Sequence, residues 1–87
     1  MNRPVIRVGD KTSHGGEVIS GSASMKIDVK DVARVGDKAT CPLHPSETVI
    51  NSGSESYIID GQPVARDGDT TACGATLIAS QTSYLIK

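Results

Sequence analysis

A short phrase occurs three times in this chain, and each copy is followed at one fixed distance by a residue able to bind a metal. The copies are Val5-Ile6-Arg7-Val8-Gly9-Asp10, Val32-Ala33-Arg34-Val35-Gly36-Asp37 and Val64-Ala65-Arg66-Asp67-Gly68-Asp69. Four positions beyond these aspartates stand His14, Cys41 and Cys73, and His44 lies three residues after Cys41. The chain contains no other His or Cys. A repeat that delivers every such residue to equivalent places predicts one shared metal site in a pseudo-threefold fold.

The repetition continues past these loops. Each is followed by a β-branched segment, a small polar turn and a second apolar segment. The first segments are Glu17-Val18-Ile19-Ser20, Thr48-Val49-Ile50-Asn51 and Thr76-Leu77-Ile78-Ala79; the second end on Ile27, Ile59 and Ile86. Gly21 and Gly53 stand at matching distances before Arg34 and Arg66. Short β-branched runs bounded by Gly, Ser, Asn and Asp predict strands and hairpins, and no window carries a capped helical period. Asp60-Gly61 reads as a two-residue hairpin turn, since both types tolerate positive φ. Asp28-Val29-Lys30-Asp31 reads as a longer, less regular connection. The third copy ends at Lys87 before any arginine phrase, so Pro4-Val5-Ile6-Arg7 is expected to supply its missing strand against residues 83–86. Such closure removes open sheet edges.

Within the phrase, Gly9, Gly36 and Gly68 permit a sharp turn. Asp10, Asp37 and Asp69 are placed to accept backbone N–H bonds and hold the following loop. Arg7, Arg34 and Arg66 are expected to pair with these aspartates across repeats; the plainer reading is solvated arginines and turn aspartates.

A chain of 87 residues reads as a single domain, 1–87. At that length it buries about 60–65% of its unfolded surface, a marginal core. It has no Phe or Trp, only Tyr57 and Tyr84, and an apolar content of 37%. Thin cores of this kind usually need a metal or disulfide staple. A net charge of −1 gives no electrostatic case for nucleic acid or an anionic membrane. Its apolar runs are too short for a transmembrane helix, so no stable membrane anchoring is expected. No apolar stretch follows Met1-Asn2-Arg3-Pro4 to make a signal peptide. Synthesis in the cytoplasm is the expectation, where paired thiols serve more readily as ligands than as a disulfide.

Two Cys and two His make a complete tetrahedral zinc set, and four protein ligands leave no open coordination position. The site therefore reads as structural zinc, and the protein as no enzyme. A Cys41–Cys73 disulfide beside two unrelated histidines is the competing reading. A deaminase lacks its His-x-Glu motif here, and a hydrolase would have to make Cys41 a nucleophile. A small zinc-dependent enzyme or toxin remains the alternative function.

Pro63-Val64-Ala65-Arg66, Asp31-Val32-Ala33-Arg34 and Pro4-Val5-Ile6-Arg7, each leading into Gly-Asp or Asp-Gly-Asp, with His14-Gly15-Gly16 after the first, resemble the PAAR-repeat proteins. These are the tip proteins of type VI secretion spikes. The resemblance rests on the repeat grammar, because none of the three segments is a literal Pro-Ala-Ala-Arg. It implies a cone-shaped β domain with zinc near the apex, held by His14, Cys41, His44 and Cys73. It implies a base seated on a trimeric VgrG spike, one copy per trimer, helping to pierce a target membrane. The tip of a contractile phage tail has the same geometry. A bare tip without extension domains would be monomeric when free and would carry effectors as separate proteins. It would be made in the bacterial cytoplasm, assembled on the spike and delivered outside the cell or into target cells.

Overall fold

The repeated phrase builds the same turn three times. In the computed structural model, which describes residues 2–43 and 47–87, the carbonyls of Arg7, Arg34 and Arg66 accept the N–H of the aspartate three residues on, at 3.0, 3.0 and 2.9 Å. A turn of this kind with positive φ at its third residue selects glycine there, and Gly9, Gly36 and Gly68 have φ of 95°, 92° and 89°. Each aspartate reaches back. Its Oδ2 accepts the arginine N–H at 2.8, 2.7 and 2.7 Å. The carboxylates thus brace the turn that precedes them rather than the loop that follows.

That geometry corrects the expected arginine pairing. With Asp Oδ2 already against the N–H of its own arginine, the guanidinium folds over the same carboxylate. Arg34 Nε lies 3.1 Å from Asp37 and Arg66 Nε 3.0 Å from Asp69, pairs within a repeat rather than across repeats. Arg7 alone turns away, to the Ile27 carbonyl, the Asp28 carboxylate and the Ser80 hydroxyl.

Serines make the ties between units. Ser20 Oγ donates to Asp37 Oδ1 at 3.3 Å and Ser52 Oγ to Asp69 Oδ1 at 3.1 Å. The circle is completed by Ser80 Oγ donating to Asp10. In the first two cases the serine precedes Gly21 or Gly53, where a Cβ would lie 2.8 Å from the carbonyl oxygen of Val32 or Val64. The third copy reads Ala79-Ser80 at these positions, so its hydroxyl comes from one residue later.

The fold is all-β, with ten short strands and no helix among the described residues: β1 (Arg3–Pro4), β2 (Lys11–Thr12), β3 (Ser22–Ile27), β4 (Lys30–Val32), β5 (Lys38–Ala39), β6 (Thr48–Val49), β7 (Ile58–Ile59), β8 (Gln62–Pro63), β9 (Leu77–Ile78) and β10 (Leu85–Ile86). Hairpin β7–β8 pairs Ile59 with Gln62 across Asp60-Gly61, whose φ values are 52° and 80°. Hairpin β3–β4 pairs Ile27 with Lys30 in the same register, across Asp28-Val29 at φ 53° and 63°. The first connection is therefore the same two-residue turn, not a longer one, with valine forced into a conformation suited to glycine. Strands β1 and β10 repeat the register once more, Arg3 opposite Ile86 and Pro4 opposite Leu85. The N-terminal segment completes the third unit, and the two chain ends lie where the other units have their turn.

Equivalent hydrogen bonds also reset the register of the repeats. Gly9, Gly36 and Gly68 donate to the carbonyls of Val18, Ile50 and Leu77 at 2.8, 2.8 and 2.9 Å. Ile50, not Val49, is the counterpart of Val18, so the second segment begins one residue later than its sequence suggests. A one-residue shift exchanges the two faces of a strand, and the outcome follows: Ile50 is buried and Val49 exposed.

Two apolar layers result. Ile6, Ala33 and Ala65 join Val18, Ile50, Leu77 and Ala39 in one. Val5, Val32 and Val64 join Ile27 and Ile86 in the other, with Ile59 and Met25 packed against them. Between equivalent residues runs a closed backbone ring: Ile6 N–H to the Ala65 carbonyl at 3.0 Å, Ala33 to Ile6 at 2.9 Å and Ala65 to Ala33 at 2.9 Å. Below it, the buried side chains of Ser22, Ser54 and Gln81 accept the backbone N–H of Ser24, Ser56 and Tyr84. Satisfying these loops from within keeps buried polar groups paired.

Val29 is 88% exposed, so its side chain packs against little. A β-branched residue at positive φ is strained by about 1–2 kcal/mol. Val29→Gly should raise stability by about 1 kcal/mol, net of glycine's greater freedom when unfolded. Urea denaturation checks this, and the equivalent change at exposed Val49, which lies in a strand, should have the opposite sign.

Candidate metal centre

Each phrase leads into a hairpin whose tip carries a candidate ligand. The hairpins are marked by the pairs Lys11 with Glu17, Lys38 with Val49 and Thr70 with Thr76. The first and third tips are alike. Thr12 and Thr71, two residues after their aspartates, accept the N–H of Gly16 and Ala75 on Oγ1 at 3.1 and 3.2 Å. Gly15 and Gly74 turn at φ 82° and 91°. The second tip, between Asp37 and Ile50, is the longest and holds both Cys41 and His44. His44 lies outside the described residues.

His14, Cys41 and Cys73 converge from the three repeats, their ligand atoms all within 4.8 Å of one another. His14 Nδ1 is 3.6 Å from Cys41 Sγ and 3.7 Å from Cys73 Sγ. Two such ligands on one tetrahedral zinc, with bonds of about 2.1 and 2.3 Å, stand about 3.6 Å apart. The sulfurs of Cys41 and Cys73 are 3.0 Å apart, well beyond the roughly 2.05 Å of a disulfide and inside the separation of about 3.8 Å for two thiolates on one zinc ion. Binding an ion would move them apart by a fraction of an ångström. One imidazole and two thiolates form a borderline-soft donor set, suited to zinc and unsuited to calcium or magnesium, which take oxygen.

The ligands are held by neighbouring repeats. Ser13, before His14, exchanges bonds with Thr76: its N–H reaches the Thr76 carbonyl, and its Oγ accepts the Thr76 N–H, both at 2.8 Å. The Cys73 N–H donates to Thr48 Oγ1 at 3.0 Å. Thr40, before Cys41, donates its N–H to the Glu17 carbonyl at 2.8 Å and accepts the Glu17 N–H on Oγ1 at 2.9 Å. Gly16 lies so close that a Cβ would sit 1.9 Å from the Thr40 carbonyl oxygen. These supports were not singled out in the sequence. The paired Thr12 and Thr71 were a detectable signal, whereas Thr48 and Ser13 act across repeats and carry none.

The Cys73 thiol is lowered to about 6, chiefly by its hydrogen bond with Cys41 and next by the Thr71 hydroxyl at 3.2 Å. At neutral pH it is the thiolate, the form that binds metals.

Two outcomes follow. Gly16→Ala should push the Thr40 carbonyl, and with it Cys41, out of place, lowering stability by about 3 kcal/mol as overpacking does; denaturation with and without added metal measures it. For pH, the folded Cys73 value lies below the unfolded value of about 8.5. Its contribution to the metal-free fold is complete above the unfolded value and lost as pH falls through about 6. Denaturation of the metal-stripped chain from about pH 5 to about pH 9 should show stability rising, and metal affinity should weaken below about pH 6.

Among proteins of known sequence pattern, a model of the PAAR motif matches residues 8–79. Comparison with curated proteins returned no match. The matched stretch takes in His14, Cys41 and Cys73, the three glycine–aspartate turns and most of both apolar layers. With the match spanning most of the 87 residues, the chain belongs to the PAAR-motif family.

Proposed function

We propose that this protein is the tip of the spike of a contractile injection machine, seated at one copy per trimer on a VgrG-like spike protein. The observation that carries the reading is the backbone ring joining Ile6, Ala33 and Ala65. It gives a single chain the threefold layout that a trimeric partner presents, so one monomer meets three identical subunits with near-equivalent surfaces. The described residues extend 31 × 24 × 22 Å, small enough to cap the end of a spike.

The hairpins that carry the layer of Val5, Val32 and Val64 are not those that carry the ligands, and the proposed base lies at that layer. Tyr57, Ile58, Tyr84 and Leu85 are exposed on two of its three units. The first unit has Met25 and Lys26 at these places, and Lys26 Nζ is paired with Asp31 at 2.6 Å. The opposite end, where the three ligand loops meet, is the proposed apex. Its metal is zinc, with His44 as the fourth ligand. Saturated coordination makes the ion a staple, contributing on the order of 10 kcal/mol of apparent folding free energy. The role is structural rather than catalytic, and travel outside the cell follows from riding on the spike.

Purified without added metal, the chain should contain one equivalent of zinc by elemental analysis, and His44→Ala should weaken retention at least tenfold against a competing chelator. Mixed with a VgrG trimer from the same bacterium, it should co-elute at one copy per trimer. Ile58→Asp combined with Leu85→Asp should reduce that binding at least tenfold while zinc content is unchanged. A chain that keeps its zinc and binds no spike trimer, yet turns over a substrate only when metal-loaded, would sink the tip reading in favour of an enzyme.

A further inference from the structure

We infer that Cys41 and Cys73 form a redox switch: a hydroperoxide joins them in a disulfide, expels the metal and removes the metal tie on the loop of the first repeat. Their sulfurs lie 3.0 Å apart and come from different repeats, 32 residues apart in sequence. Each side chain is already directed at the other, so bonding requires an approach of about 1 Å from the metal-free spacing, and of about 2 Å from the spacing two thiolates take on zinc, rather than a rearrangement of the loops. Their surroundings differ in a way that orders the reaction. Cys41 is buried, at 4% exposure, while Cys73 is partly open to solvent. Cys73 therefore meets the oxidant and Cys41 resolves.

The chemistry balances as follows. The Cys73 thiolate attacks one peroxide oxygen; the O–O bond breaks, a sulfenic acid forms and hydroxide leaves. The Cys41 thiolate then attacks the sulfenic sulfur; an S–S bond forms, the S–O bond breaks and a second hydroxide leaves. The two sulfurs give up two electrons and the peroxide takes them; the two hydroxides are the products, and two protons from the buffer convert them to two water molecules. A disulfide has lost the negative charge that made these atoms metal ligands, so the ion departs.

The mechanical result is an exchange of staples. The metal would tie all three repeats through His14, Cys41 and Cys73. The disulfide ties the second and third, and the His14 loop loses the metal tie while keeping, among others, its bonds to Thr76 and Thr40 through Ser13 and Glu17 and the pairing of β2 with β9. A histidine in place of either cysteine would bind metal without this sensitivity, so the switch belongs to the two-thiol donor set.

The metal-release half of this inference rests on the zinc reading above; the disulfide half does not. The test treats zinc-loaded chain with hydrogen peroxide, following zinc with a chromogenic indicator and thiols by alkylation and mass spectrometry. One zinc should appear for every two thiols lost, with an intrachain Cys41–Cys73 disulfide, and dithiothreitol should restore both thiols and zinc uptake. Cys73→His, which keeps a donor at the site, should hold its zinc at a peroxide dose that empties the natural chain. Three results overturn the switch: thiols that stay alkylatable, oxidation to sulfinic acid without a disulfide, or zinc lost from Cys73→His as quickly as from the natural chain. Should the chain prove to contain no zinc, the metal reading fails by itself. Metal-free chain should then still form the intrachain disulfide, and its failure to do so overturns the inference independently.

Discussion

Strands of two residues do not survive alone, and nearly every strand in this protein is that short. Each contributes one or two ladder bonds against the conformational entropy of the residues it fixes, roughly 1–2 kcal/mol for each backbone. What makes them viable is closure. The pairing of Arg3–Pro4 with Leu85–Ile86 reproduces the register of the two internal hairpins and converts a row of three units into a circle. Every unit then has a neighbour on both sides. The ring through Ile6, Ala33 and Ala65 and the serine–aspartate ties lie within that circle and depend on it.

Closure also sets the metal centre. Three loops that are far apart in sequence meet because the circle brings their tips to one end. Each is then steadied by its neighbour, through Ser13 with Thr76, Cys73 with Thr48 and Thr40 with Glu17. A metal bound there would return the favour, joining the loops at the end where the apolar layers give out. The core above the ring has alanines at Ala33, Ala39 and Ala65, which bring backbones close at the expense of buried area. A thin core and a staple are two sides of one design in a chain this small.

Several departures from threefold equivalence are local, and all but one of these have a compensation. Ala79-Ser80 replaces Ser-Gly, and the Ser80 hydroxyl reaches Asp10 in place of the missing one. Arg7, lacking the fold over Asp10 that its counterparts make, finds Asp28 and the same Ser80. Gln81 replaces Ser22 and Ser54, and its longer amide reaches the carbonyls of both Val5 and Tyr84, the place where one strand is contributed by the other end of the chain. Asp28-Val29 is the uncompensated case: a hairpin register kept with a residue that the turn does not favour.

The repeated phrase, read from sequence, determined the number of units, the all-β class, the closing role of the N-terminus and the candidate ligands, because spacing along the chain is what those features consist of. Tertiary structure decided the rest. That Arg34 and Arg66 fold over their own aspartates while Arg7 turns to Asp28 and Ser80 depends on which partners the fold brings beside each guanidinium. That Ile50 rather than Val49 faces the core depends on where the longer second loop hands its strand back to the sheet, and a single residue of offset inverts the faces. The serine ties from Ser20, Ser52 and Ser80 join residues of different repeats, and nothing local marks them, since a hydroxyl in a polar turn looks the same in sequence whether it meets water or a buried aspartate. The approach of Cys41 to Cys73 belongs to the same class. Sequence placed both at ligand positions, but only the closed circle, by fixing how far apart the loop tips can stand, set their sulfurs 3.0 Å from each other.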